Sequence, residues 1–155
     1  MEAKKKLGRY SRIFRQLEEL IRKDNPNLTA RMSTAVAVLH NKMDYFFWTG
    51  FYLLDEGELI VGPYQGSLAC IKLKKDTGVC WAGINRGETV VVPDVHDFPG
   101  HIACDSRSNS EIVVPLSDNT GKILGVLDVD SKDFNSFDEV DKEWLERIIL
   151  LIAHG

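Results

Sequence analysis

The chain has 155 residues, 44% of them hydrophobic and 27% charged, with a formal net charge of −4. That length suits one domain able to bury roughly two thirds of its unfolded surface, and the mild acidity argues against nucleic acid or an anionic membrane as the main partner. No apolar run approaches the roughly 20 residues of a membrane span and no secretory core follows Met1, so a cytoplasmic location is expected.

The basic run Lys4-Lys5-Lys6 reads as part of a solvated tail over residues 1–6. Leu7, Tyr10, Phe14, Leu17 and Ile21 then recur at three- and four-residue steps, which predicts an amphipathic helix over 7–22. Asn25-Pro26-Asn27 interrupts it. A second helix is expected from Thr29 to Lys42, burying Met32, Val36, Leu39 and Met43 along one side. From Tyr45 the pattern turns to β: "YFFWTGFYLL" and "ELIVGPY" flank "DEGE", whose Gly57 suits a hairpin turn. "GVCWAGINRG" predicts a short helix with Thr77 as N-cap, and "TVVVPDV" a strand whose Pro93 places its end near a sheet edge.

Two further strands, Glu111–Leu116 and Lys122–Asp130, flank the turn "SDNTG". A last helix carries Val140, Trp144, Ile148 and Ile152 and is expected to open on a capping box of Ser136 and Glu139. The order predicts an α+β fold over 1–155: one antiparallel sheet of about six strands, with the N- and C-terminal helices packed on one face.

The hairpin over 111–130 carries the strongest chemical signal. If Leu116 pairs with Ile123 across the turn, Glu111 lies opposite Asp128, and alternation puts Asp130 on the same face. Like charges directly opposite each other destabilise a sheet, so three converging carboxylates need a reason. A bound cation, a retained proton or a solvated acidic rim in another register would each supply one.

Three cysteines cannot form a fully paired disulfide framework in one chain. Cys70, between "GSLA" and "IKL", reads as a half-buried strand residue. Cys80 falls in the first turn of the short helix, where the helix dipole lowers a thiol pKa, although packing would explain it equally well. Cys104 is surrounded by His101, Asp105, Ser106, Arg107, Ser108 and Asn109, an unusual setting for a thiol kept for packing, and this favours a reactive role. Cys70, Cys80, Cys104 and His101 supply four zinc ligands by count, but spacings of 10 and 24 contain no paired knuckle, so no metal is expected. In "FFWTGFY", Trp48 and Tyr52 share a face that serves either as core or as the wall of a pocket.

"WTGFY", "VGPYQGSLAC", "GVCWAG", "VPDVHDFPGHIACDSRSNSEIVVPL" and "GVLDVDS" together resemble free methionine-(R)-sulfoxide reductase, a GAF-domain enzyme, over nearly the whole chain. "GHIACDS" followed by "SEIVVP" is the specific part, since generic GAF domains lack it. One departure is Trp81, where the family usually shows Gly after its second motif cysteine. The resemblance implies a single GAF domain, no cofactor and reduction of the free amino acid. It casts Cys104 as the attacking thiol, Cys70 as the resolving one and Cys80 as a third whose role differs among members. Trp48 and Tyr52 would surround the substrate methyl group, and Glu111, Asp128 and Asp130 would hold the substrate. Thioredoxin is the implied reductant and a homodimer the implied assembly. A non-catalytic GAF module that binds a small ligand would use the same pocket, without needing three cysteines beside it.

Overall fold

Alternation along the central strands gives the sheet two apolar faces, and the helices divide between them. The computed structural model describes residues 1–101 and 104–155. Its elements are α1 (Ala3–Asp24), α2 (Leu28–Lys42), β1 (Trp48–Asp55), β2 (Glu58–Gln65), β3 (Lys72–Leu73), α3 (Gly78–Arg86), β4 (Val90–Val92), β5 (Ser110–Ser117), β6 (Ile123–Ser131) and α4 (Glu139–His154). The strands form one antiparallel sheet in the order β3-β2-β1-β6-β5-β4. This bears out the expected α+β architecture. β4 is an edge strand that stops before Pro93, which has no N–H to extend a ladder.

Phe51, Ile112, Val114, Leu116, Leu127 and Val129 point to one side and meet the apolar stripes of α1, α2 and α4. Trp48, Tyr52, Val113 and Val126 point to the other, where Val79, Cys80 and Trp81 of α3 and Val92 of β4 cover them. The second cluster is the smaller, and it encloses the site.

The first helix begins at Ala3, so the solvated tail expected over 1–6 is mostly helix. Lys6 is only 2% exposed. Its ammonium meets Asp141 Oδ2 at 2.6 Å and the carbonyl of Ser136 at 2.8 Å. Tyr10 donates to Asp141 Oδ1 at 2.6 Å, the Tyr45 hydroxyl donates to the same oxygen, and the Asp138 N–H donates to Oδ2 at 2.8 Å. A basic run of three was therefore a poor guide, because the helical period turns its third member inward while Lys4 and Lys5 stay exposed.

The same network relocates the last helix. Its N-cap is Asp138, which accepts from the Val140 and Asp141 backbones, and Asp141 completes the capping box in place of Ser136 and Glu139. Starting two residues later delivers Asp141 to its buried donors. Ser136 instead exchanges a hydroxyl hydrogen bond with Ser131 at 2.7 Å. At α3, Thr77 does hold the N-cap position, but its hydroxyl donates to the Lys75 carbonyl rather than capping the helix.

The β5–β6 register also differs from expectation. Ser117 pairs with Ile123 and Leu116 with Gly125, leaving Leu124 as an extra residue on β6. Extending β5 by one residue into the turn and inserting one bulge residue on β6 shifts the pairing by two in all. Glu111 consequently faces Asp130, and Val113 faces Asp128. An even shift preserves which face each side chain occupies.

Removing one partner of a buried ion pair leaves an uncompensated charge, so Lys6→Met should lower the unfolding free energy by about 3 kcal/mol. Lys4→Met and Lys5→Met, on the exposed side, should change it by less than about 0.5 kcal/mol. Urea unfolding of the three variants checks this, and a wild-type midpoint for Lys6→Met would show that the tyrosines and the Asp138 N–H suffice.

Candidate active site

The three central strands place five of the expected site residues side by side. β1 runs beside β6 with Trp48 opposite Asp130, Gly50 opposite Asp128 and Tyr52 opposite Val126. β5 lies on the far side of β6 and presents Glu111 beside Asp130. Trp48, Tyr52, Glu111, Asp128 and Asp130 thus line one cavity, closed from above by Val79 and Cys80 of α3.

Two glycines make the close approaches that shape it. A Cβ on Gly50 would lie 2.3 Å from the Tyr64 Cβ and 2.6 Å from the Trp48 ring, so only Gly lets that indole lie across the strand. A Cβ on Gly83 would meet a Val113 methyl at 2.7 Å, so Gly83 lets α3 settle onto β5 and brings Cys80 down to the carboxylates. Trp48 stacks between Tyr52, at 5.7 Å between ring centroids, and Tyr64, at 5.3 Å. Tyr64 was not among the expected residues. Its signal lay in β2, where "VGPY" sets it opposite Gly50.

The electrostatics of the cavity are one-sided. Glu111 and Asp128 are each 95% buried, and Asp130 is half-buried. Burial, followed by the charges of Asp128 and Asp130, holds the Glu111 carboxyl well above its ordinary range. Burial raises Asp128, offset in part by hydrogen bonds to Glu111 and Cys80. Burial and the Asp128 charge raise Asp130. Asp128 Oδ1 is buried and has no hydrogen-bond partner among the described residues. A trio of this kind resists full ionisation, and it accepts any cation that brings N–H donors. Cys80 Sγ and oxygens of Glu111 and Asp128 lie within 4.8 Å of one another, a set able to ligate a metal ion or surround an ammonium group.

The helix dipole does not lower the Cys80 thiol pKa as expected. Burial pushes it well up, and Asp128, Glu111 and Asp130 push it further. Fixed negative charge at close range outweighs the partial positive charge at the end of a nine-residue helix. Trp81, the departure from the family pattern, leaves α3 regular. It is buried in the second cluster and donates its indole N–H to the Leu73 carbonyl at 3.4 Å.

Cys70 lies in the loop between β2 and β3, not in a strand, and is disulfide-bonded to Cys104 with Cα atoms 5.6 Å apart. This takes two thiols out of the zinc set considered above and leaves Cys80 as the free cysteine. The Cys70 loop hangs from the aromatic wall. Trp48 Nε1 donates to the Ser67 carbonyl at 3.0 Å, and the Tyr52 hydroxyl donates to the Cys70 carbonyl at 3.2 Å. His101 and Cys104 border the cavity from the opposite loop, whose residues 102 and 103, part of "GHIACDS", lie outside the described residues.

Linkage gives the acidic cluster a measurable signature. The empty folded protein binds a proton at Glu111 more tightly than the unfolded chain does. That contribution to stability is complete below the ordinary Glu value of 4.5 and is lost as pH rises toward the raised native value. Glu111→Gln cannot ionise. Without ligand, its urea midpoint should match wild type near about pH 4 and exceed it increasingly as pH rises above the ordinary Glu value. A variant less stable throughout would mean that Glu111 serves a structural hydrogen bond.

Residues 27–154 match the GAF domain family. GAF domain-containing protein A of Dictyostelium discoideum is 46% identical over 144 residues, covering 92% of this chain and 89% of that protein. The free methionine-R-sulfoxide reductase of Escherichia coli is 41% identical over 120 residues, 77% of this chain and 72% of the relative. The X-ray structure of free methionine-R-sulfoxide reductase from Neisseria meningitidis in complex with its substrate superposes with a TM-score of 0.87 at 40% identity, covering 93% of this chain and 86% of that one. With its carboxylates, aromatic wall and paired cysteines around one cavity, the chain belongs to the GAF-domain family of free methionine-R-sulfoxide reductases.

Proposed function

We propose that the protein reduces free L-methionine (R)-sulfoxide to L-methionine, with Cys104 as nucleophile and Cys70 as resolving thiol. The observation that carries this reading is the Cys70–Cys104 disulfide at the edge of a cavity lined by buried, incompletely satisfied carboxylates. Two cysteines from separate loops meet where a small zwitterion would sit. A ligand-binding module without turnover has no use for that bond.

The substrate ammonium offers three N–H donors and a positive charge to Glu111, Asp128 and Asp130, which relieves their mutual repulsion on binding. The S-methyl group lies against the stacked Trp48 and Tyr52, a polarisable apolar wall. With the methyl group and the ammonium both fixed, the sulfoxide oxygen of one epimer points to a proton donor and the Cys104 thiolate approaches the sulfur. A carboxyl held protonated by its neighbours supplies the hydrogen bond or proton that the oxygen needs as the S–O bond breaks.

The oxygen leaves as water and Cys104 is bonded to the methionine sulfur. Water then attacks the Cys104 sulfur, methionine departs with the electron pair of that S–S bond, and Cys104 is left as a sulfenic acid. Cys70 condenses with it, giving the disulfide and water. An external dithiol protein, thioredoxin in this reading, reduces the bond by exchange and restores both thiols. Cys80 keeps its proton throughout and closes the cavity beside Asp128 and Glu111. The cytoplasm is the matching compartment, because its reductants keep such pairs turning over. Among the described residues no helix is long and apolar enough to cross a membrane. The assembly expected for the family is a homodimer.

The thiol assignments are tested by stoichiometry. Cys104→Ser should release no methionine in a single turnover, while Cys70→Ser should release about one per site and then cycle poorly with thioredoxin. The reverse pattern would exchange the two roles. A second assay compares the R epimer, the S epimer and the N-acetylated R sulfoxide. Reduction should be confined to the first, and equal rates on all three would rule out recognition of the ammonium.

A further inference from the structure

The two cysteine loops are joined at a second point besides the disulfide. Ser67 Oγ donates to Asp105 Oδ2 at 2.8 Å, three residues before Cys70 and one after Cys104. Arg107 braces the acceptor. Its Nη2 meets Asp105 Oδ2 at 2.7 Å, its Nε meets Oδ1 at 3.0 Å, and its backbone N–H donates to Oδ1 at 2.9 Å. These bonds hold the Asp105 carboxyl well below the usual carboxylate range, so it stays an ionised acceptor for Ser67. The guanidinium lies 4.9 Å from the centre of the Phe47 ring, immediately before Trp48. Since the Trp48 indole holds the Ser67 carbonyl, the contacts form a closed circuit through Phe47, Arg107, Asp105, Ser67 and Trp48.

Once a disulfide exists, it holds two loops together without help. A polar clamp across the same gap matters before the bond forms, when Cys104 carries its sulfenic oxygen and more than one thiol borders the cavity. Cys80 lines that cavity as well. Resolution by Cys80 would place a disulfide against the carboxylates, since its sulfur and oxygens of Glu111 and Asp128 lie within 4.8 Å of one another.

We propose that the Ser67–Asp105 hydrogen bond, braced by Arg107, positions the sulfenic form of Cys104 against Cys70 and so sets both the rate and the partner of the resolving step. This rests on the reaction proposed above. The Cys70 sulfur attacks the Cys104 sulfur, an S–S bond forms as the S–O bond breaks, and the hydroxyl leaves with the thiol proton as water. Cys70 is oxidised and the sulfenic sulfur is reduced. Ser67 and Asp105 touch neither reacting sulfur in this scheme. They are positioning residues.

The test uses Ser67→Ala, Asp105→Ala, the double variant and the conservative Asp105→Asn, each fully reduced. Hydrogen peroxide forms the Cys104 sulfenic acid without any methionine sulfoxide, so this arm stands even if the substrate assignment fails. Dimedone trapping and peptide mass mapping then follow the sulfenic acid and each disulfide with time. A misplacement of about 1 Å costs up to about a hundredfold in a positioned reaction, so the two alanine variants should form Cys70–Cys104 about tenfold more slowly or worse. A Cys80–Cys104 product should appear in both, the double variant should be no slower than the slower single, and Asp105→Asn should recover most of the rate. With methionine sulfoxide as oxidant, the first methionine should still be released within about threefold of the wild-type rate, because only the second step is affected. Wild-type disulfide rates with Cys70 as sole partner would overturn the proposal. So would additive losses in the double variant, or a methionine burst slowed as much as the disulfide.

Discussion

Everything at this site depends on the parity of three neighbouring strands. β1, β6 and β5 are aligned so that Trp48, Tyr52, Asp128, Asp130 and Glu111 share one face, while Phe51, Leu127, Val129 and Ile112 share the other. The apolar face is committed to three helices, and a one-residue slip in any strand would turn carboxylates into that core. The energy that keeps the acids together is therefore spent on the opposite side of the sheet, where Phe51, Ile112, Leu127 and Val129 are fully buried. Apolar burial on one face holds an arrangement on the other that like-charge repulsion would disperse.

The protein contains two buried carboxylate systems with opposite treatment. Asp141 receives donors from Lys6, Tyr10, Tyr45 and the Asp138 backbone, and through them it ties α1 and the segment before β1 to α4. Nothing is left for a ligand to supply. Asp128 shares its surroundings with Glu111, Asp130 and a thiol, and among the described residues one of its oxygens has no partner. The contrast separates a carboxylate that builds the fold from one that waits for a cation, although both are buried and both meet side chains from other segments. Local conflict of the second kind is what a fold tolerates where binding will resolve it.

The aromatic wall links binding to redox chemistry. Trp48 and Tyr52 present their rings to the cavity, and with their polar atoms they hold the Ser67 and Cys70 carbonyls. The loop that bears Cys70 is thus anchored to the same two side chains that line the cavity. While the two cysteine loops are held together, Cys80 stands apart from this exchange. Its thiol is buried against the carboxylates, where negative charge opposes formation of the thiolate that redox exchange requires.

Local pattern was enough to read the helices, five of the six strands and the faces of β1, β5 and β6, because periods of 3.6 and 2 are properties of the chain itself. The shared face of Glu111, Asp128 and Asp130 was legible for the same reason, and survived a register shift of two. What the sequence left open depended on contacts between distant segments. The bulge at Leu124 set which acid faces which. The donors around Asp141 started α4 at Asp138 and drew Lys6 out of a solvated run into the interior. Packing through Gly83 lowered α3 until three carboxylates overrode the helix dipole at Cys80. The sequence by itself determined which side chains could share a surface. Only the tertiary structure decided which of them touch, because burial, charge and thiol pairing are set by neighbours from other segments, 34 residues away at the disulfide and 135 at the Lys6–Asp141 pair.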